Sequence, residues 1–207
     1  MSHKRIVYYF SLTSPWAYLG HAMFLDIARR HGVQIDYRPI GLGQVFPTTG
    51  GLPLAKRAPA RQAYRLVELQ RWRVKRGVHV NLHARYFPFD VSGADRAMIA
   101  VLESGAGPDD FLLRALRAVF AEDRNLADPV VIAEVLAEAG LNAASLMARA
   151  QSAEIAAQYQ ENIAMALEAN AFGSPSYVLD GEVFWGQDRL ELLEDALASG
   201  RAGYRAG

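Results

Sequence analysis

Residues 176–198 read SYVLDGEVFWGQDRLELLEDALA. Val178 and Leu179 lead into Asp180-Gly181, and Val183, Phe184 and Trp185 lead out of it. Two apolar, β-favouring runs separated by Asp-Gly predict a hairpin with a tight turn. A helix over 188–198 follows, so the chain closes as ββα. Nothing between residues 41 and 173 has comparable β character apart from a short connector, VHVNLHARYFPFDVSG. The two strands need partners for their other edges, and those must come from the beginning of the chain.

The beginning supplies them. Ile6 to Phe10 is β-branched and aromatic throughout and predicts a buried strand. Pro15 to His31 predicts a helix, with Leu19, Met23 and Ile27 on one face, basic residues in its last turn and Gly32 as its stop. VQIDYRPI (33–40) alternates, with Val33, Ile35, Tyr37 and Pro39 on one face. Strand, helix and strand in about 40 residues predict a βαβ unit with parallel strands. Residues 41–58, GLGQVFPTTGGLPLAKRA, are rich in Gly, Pro and Thr and read as an ordered loop. Helices are predicted over Pro59–Arg76, Ala94–Glu103, Asp109–Ala121, Pro129–Glu138, Ala143–Ala150 and Ala153–Ala169. The order βαβ…ββα, interrupted by helices, is that of an α/β protein: a thioredoxin-like sheet with a large all-helical insertion. The expected division is a thioredoxin-like unit of 1–42 and 173–207 around a helical insertion of 43–172.

Bulk composition narrows the chemistry. The chain has 207 residues, 22 basic and 22 acidic, so its net charge is zero. A neutral chain has no general attraction to nucleic acid or anionic membrane, and neither partner is expected. It contains no cysteine. Disulfide exchange, thiolate metal ligation and cysteine nucleophiles are therefore excluded for its own side chains. No run of about 18 apolar residues is present, and MSHKRIVYYF lacks the features of a signal peptide, so a cytoplasmic protein is expected. The histidines form no ligand-spaced set with carboxylates, and no metal site is expected. The basic run RWRVKR (71–76) reads as a solvated helix face.

Three places can carry chemistry. Ser14 precedes Pro15 at the start of the first helix, where its hydroxyl can cap the amide of Trp16 or Ala17. Asp128-Pro129 has the same grammar with no evident chemistry. Ser14, however, opens the helix that follows the first strand of a βαβ unit. Ligands of open α/β sheets bind at that edge, and exposed amides there favour anions, a thiolate among them. Without a cysteine, that sulfur would have to come from a bound small molecule. Ser174-Pro175 at the sheet entry reads as a trans proline starting a strand, or as a cis unit whose backbone can pair with an extended ligand. Asp188, with Glu191, fits a capping box for the last helix, and its carboxylate can also hold an ammonium group. Phe10, Trp16, Phe46, Tyr86 and Phe87 are candidates to line an apolar pocket.

TSPWAYLG (13–20), GSPSYVLDGEVFWGQDRL (173–190), VFPTTGGLP (45–53), PARQAY (59–64) and YFPFD (86–90) together resemble the 2-hydroxychromene-2-carboxylate isomerase family. That family is related to kappa-class glutathione transferases within the DsbA-like thioredoxin group. The resemblance implies glutathione as cofactor, an aromatic small-molecule substrate and a homodimer. It implies that Ser14 stabilises the glutathione thiolate and that Ser174-Pro175 pairs with the cysteinyl unit. Gln187 and Asp188 would grip the γ-glutamyl end, with Arg61 and Gly51 also at the cofactor site. The implied reaction interconverts 2-hydroxychromene-2-carboxylate and trans-o-hydroxybenzylidenepyruvate, or a close aromatic keto-acid analogue. The family loop commonly reads F-K-A-T-G-N; here Pro47 and Gly51 replace its lysine and asparagine, Arg61 stands for a lysine, and Asp90 for an asparagine. A kappa-like transferase with another substrate and a non-catalytic glutathione- or partner-binding protein are the alternatives.

Overall fold

In a computed structural model that describes residues 4–205, the two β-containing ends of the chain form one sheet. Residues 1–3 and 206–207, the outer ends of the expected thioredoxin-like unit, lie outside the described residues. The strands are β1 (Arg5–Phe10), β2 (Gln34–Pro39), β3 (Ser176–Leu179) and β4 (Glu182–Trp185), in spatial order β2-β1-β3-β4. β1 runs parallel to β2 and antiparallel to β3, and β3 and β4 form the antiparallel hairpin. Asp180 and Gly181 both have positive φ, 49° and 77°, the conformation that a two-residue Asp-Gly turn requires.

Nine helices occur among the described residues. α1 (Pro15–Arg30) joins β1 to β2; α2 (Leu42–Thr49), α3 (Pro59–Arg76), α4 (Ser92–Glu103), α5 (Asp109–Phe120), α6 (Pro129–Glu138), α7 (Ala143–Ala150) and α8 (Ala153–Glu168) lie between β2 and β3; α9 (Leu190–Ser199) ends the fold. Alternation along β1 divides the packing between two faces. Tyr8 stacks on Tyr177 of β3, with ring centroids 5.2 Å apart, and meets Phe24 of α1 at 4.8 Å. Tyr37, on the same face, bonds to Asp109 of α5. On the other face Arg38 bonds Asn162 of α8 at 3.0 Å. The sheet and the inserted helices share one hydrophobic core. None of the described helices is long and apolar enough to cross a membrane.

Three local readings are corrected. The stretch 41–58 is not a loop throughout: it contains α2 and a 3₁₀ turn at Leu54–Lys56. Pro47 sits within α2, and Gly50 ends it with φ 77°. The capping box at Asp188 does not form. Residues Gln187–Arg189 make a 3₁₀ turn, α9 begins at Leu190, and the Asp188 carboxylate pairs with Arg189 at 2.8 Å. Finally, 71–76 is not wholly a solvated face: Arg71 and Lys75 are exposed, but Arg76 turns inward to Gln187.

Candidate functional site

The end of β1, the N-terminus of α1 and the turn before β3 converge on Ser14. The backbone of residues 11–14 folds back, with Ser14 N–H donating to the Ser11 carbonyl at 3.0 Å. This places the Ser14 hydroxyl at the helix end, where its Oγ accepts from the Ala17 N–H at 3.2 Å. The cap is the one expected from the sequence. The same hydroxyl donates to the Ser174 carbonyl at 2.8 Å, across 160 residues of chain. Ser14 is buried, 3% exposed. Its hydroxyl therefore also ties α1 to the turn that precedes β3, which an ordinary helix cap such as Asp128 does not do.

That turn is fixed from several sides. Ser174-Pro175 is cis, and so is Phe87-Pro88, which no local pattern had marked. Ser174 Oγ accepts from the Ser11 N–H at 2.8 Å, Ser176 Oγ donates to the Gly173 carbonyl at 2.8 Å, and Gly186 N–H donates to the Pro175 carbonyl at 2.9 Å. The Ser174 N–H enters none of the hydrogen bonds among the described residues. It is a donor at the sheet entry available to an extended backbone.

The Gln187-Asp188 pair divides. Gln187 is 2% exposed; Arg76 of α3 donates to its side-chain oxygen at 2.9 Å and to its main-chain carbonyl at 3.0 Å. Both of its oxygens are thus held by Arg76. Asp188 is the exposed member. The turn reaches α1 because residue 20 is glycine: a Cβ there would lie 2.6 Å from the Gln187 Cβ. Arg76 was absent from the expected site residues, and no local pattern marks it, because its partner is 111 residues away.

Beside Ser14, Pro15 forms part of the wall of a cavity of about 280 Å³ with Leu69, Phe87 and Phe120, while Gln62, Arg65, Asn81 and His83 supply its polar lining. Of the five aromatics proposed for a pocket, Phe87 is at this wall; Phe10 belongs to the core. The ring of Phe46 covers Gly51, in the space a side chain there would take. Arg61 is exposed on the first turn of α3. Thus Ser14, Ser174 and Pro175 are brought together, with Asp188 on the following turn, whereas Gly51 is covered by Phe46.

Two titratable side chains, Asp95 and His21, are fully buried. Asp95 of α4 accepts from the Tyr159 hydroxyl of α8 at 2.7 Å, and burial raises its pKa well above the carboxylate range, against the opposing influence of that hydroxyl. His21 of α1, stacked on Tyr8, has neither ring nitrogen hydrogen-bonded, and burial pushes its pKa down to about 4. Among the described residues, no group of three or more His, Asp or Glu is placed to hold a metal ion.

Residues 5–198 match the model of the DSBA-like thioredoxin domain. The chain belongs to that family. A curated relative, the 2-hydroxychromene-2-carboxylate isomerase of Sphingobium xenophagum, is 27% identical over 196 residues, covering 94% of this chain and 98% of the relative. A solved 2-hydroxychromene-2-carboxylate isomerase superposes with a TM-score of 0.78 at 23% identity, over 94% of this chain and 95% of its own. The cytosolic disulfide reductase DsbM of Pseudomonas aeruginosa, solved with GSH, gives 0.67 at 20% identity, over 94% and 96% of the two chains. The expected fold is therefore the observed one, and the curated relative carries the name of an isomerase. Unlike a disulfide reductase acting through its own thiols, this chain has no cysteine.

Proposed function

We propose that the chain is a glutathione-dependent isomerase that interconverts 2-hydroxychromene-2-carboxylate and trans-o-hydroxybenzylidenepyruvate, or a close aromatic keto-acid analogue. The observation that carries this reading is the Ser14 hydroxyl. It sits at the α1 N-terminus, bonded to the carbonyl of the cis Ser174-Pro175 unit, beside a partly apolar cavity, in a chain without a thiol. The relative's name supplies the reaction class.

The residues fit glutathione. The Ser174 N–H can pair with the cysteinyl backbone, and the Asp188 carboxylate can take the γ-glutamyl ammonium in exchange for part of its contact with Arg189. Bound glutathione would supply a thiolate nucleophile that adds to and leaves an unsaturated substrate, letting a former double bond rotate. The chain's part is to hold that sulfur as an anion. With glutathione bound, the Ser14 hydroxyl would turn its proton from the Ser174 carbonyl toward the sulfur, while the Ala17 N–H would keep its oxygen in place. The dipole of α1, about half a positive charge at this end, favours the same anion. Gln187 and Arg76 keep Asp188 in position. A cytoplasmic location and a homodimer complete the proposal.

Thiolate ultraviolet absorbance of bound glutathione across pH, in wild type and Ser14→Ala, tests it at a temperature where both are folded. A depressed thiol pKa that returns toward the free value in the variant is expected. No binding, or binding without a shift, would overturn the proposal.

A further inference from the structure

Arg57, Arg61 and Arg65 follow one another at four-residue intervals, from the turn before α3 into its second turn. Among the described residues no carboxylate lies within ion-pair distance of any of the three. Elsewhere arginines such as Arg38, Arg124, Arg149 and Arg201 end on carboxylates. Arg57 donates to the Leu52 carbonyl at 2.8 Å, which leaves its charge uncompensated. Arg65 is half-buried in the wall of the cavity beside Ser14, its guanidinium 5.5 Å from the centre of the Phe87 ring. Burial, and secondarily the like charge of Arg57, push its pKa down to about 10. It stays cationic at neutral pH. The Phe87 ring compensates this charge only in part, and a half-buried cation that has no carboxylate partner and lies near another cation is an arrangement that an incoming anion relieves.

The rest of the cavity says which anion. Pro15, Leu69, Phe87 and Phe120 offer apolar and aromatic surface. A volume of about 280 Å³ is near the lower limit for small-molecule sites, which run from about 300 Å³ upward. It suits a single-ring compound. Guanidinium recognises a carboxylate with two parallel N–H donors.

We infer that Arg65 is the anchor for the carboxylate of a single-ring aromatic acid that seats its ring against the apolar wall formed by Phe87 and Phe120, with the nearby charge of Arg57 adding attraction. The assignment rests on the functional reading above for calling this ligand the substrate; the binding itself needs no glutathione.

The test is equilibrium binding, without glutathione, of trans-cinnamate and of its neutral amide to wild type, Arg65→Met and Arg65→Lys. Wild type should bind the acid at least tenfold more tightly than the amide. Arg65→Met should abolish that preference, and Arg65→Lys should keep part of it. Equal binding of acid and amide by wild type, no binding of either, or an unchanged preference in Arg65→Met would overturn the assignment. If Arg65→Met fails to fold, the wild-type preference and its weakening in Arg65→Lys decide. S-methylglutathione is measured in parallel. If its affinity alone falls in the Arg65 variants, the arginine serves the cofactor and the inference is wrong. Cinnamate binding that depends on Arg65, in a protein that fails the thiolate experiment, would sink the glutathione reading and leave this one standing.

Discussion

Replacing Ser14 by alanine removes two interactions that an ordinary helix cap does not combine. The first is the acceptor for the Ala17 N–H, a cap worth about 1 kcal/mol. The second is the donor to the Ser174 carbonyl, a buried bond whose loss strands an acceptor at a cost of about 1–3 kcal/mol. Together they predict a loss of about 2–4 kcal/mol. For a chain of this size that lowers Tm by roughly 5–15 °C. Asp128→Ala provides an internal reference, because Asp128 caps α6 through the Val130 N–H at 2.9 Å and is only partly buried. Its loss should be about 1 kcal/mol, or roughly 2–4 °C. Thermal melts of wild type and the two variants by circular dichroism decide the matter. If Ser14→Ala melts no lower than Asp128→Ala, the bond to Ser174 contributes nothing. The hydroxyl would then be a free cap, and the coupling of α1 to the turn before β3 would be refuted.

His21→Phe should flatten the acid side of the stability profile. The folded-state pKa of about 4 lies below the ordinary 6.5, so the wild type loses stability as pH falls from 6.5 through 4, by about 3 kcal/mol in all; urea melts across that range measure it. Asp95 has the opposite sign. Its raised pKa favours the protonated fold, so its contribution weakens as pH rises above about 3.9, and Asp95→Asn should gain on wild type between pH 4 and 7 in the same melts. Gly20→Ala should destabilise, although alanine is the better helix former by about 1 kcal/mol. The added Cβ meets the Gln187 Cβ at 2.6 Å, and overpacking of this kind costs about 1–3 kcal/mol; a variant more stable than wild type in denaturant would contradict the close packing described here.

Most of the fold was legible because local signals agreed with the final packing. Pro59 and Pro129 mark helix starts where α3 and α6 begin, and Asp180-Gly181 makes its turn. α2 was missed because Pro47 and the neighbouring glycines read as loop. Yet Leu42, Val45, Phe46 and Thr49 keep helical spacing ahead of Gly50, and that pattern was the available signal. Within the site, Ser14 was legible as a cap and its position in the βαβ unit marked it further. Its bond to Ser174 was not, because sequence spacing carries no information about a contact 160 residues away. The same holds for Arg76 on Gln187 and for Tyr159 on Asp95. Asp188 was misread locally because the 3₁₀ turn delays the start of α9 by two residues.

The Phe46 ring over Gly51 constrains how this loop can evolve. Any side chain at 51 must first evict the ring, and a smaller residue at 46 leaves a gap over a glycine. The two positions are therefore epistatic: Gly51→Asn alone is expected to be deleterious, while the same change alongside a smaller residue at 46 is accessible. A side chain at 51 is therefore expected to appear together with a smaller or displaced side chain at 46.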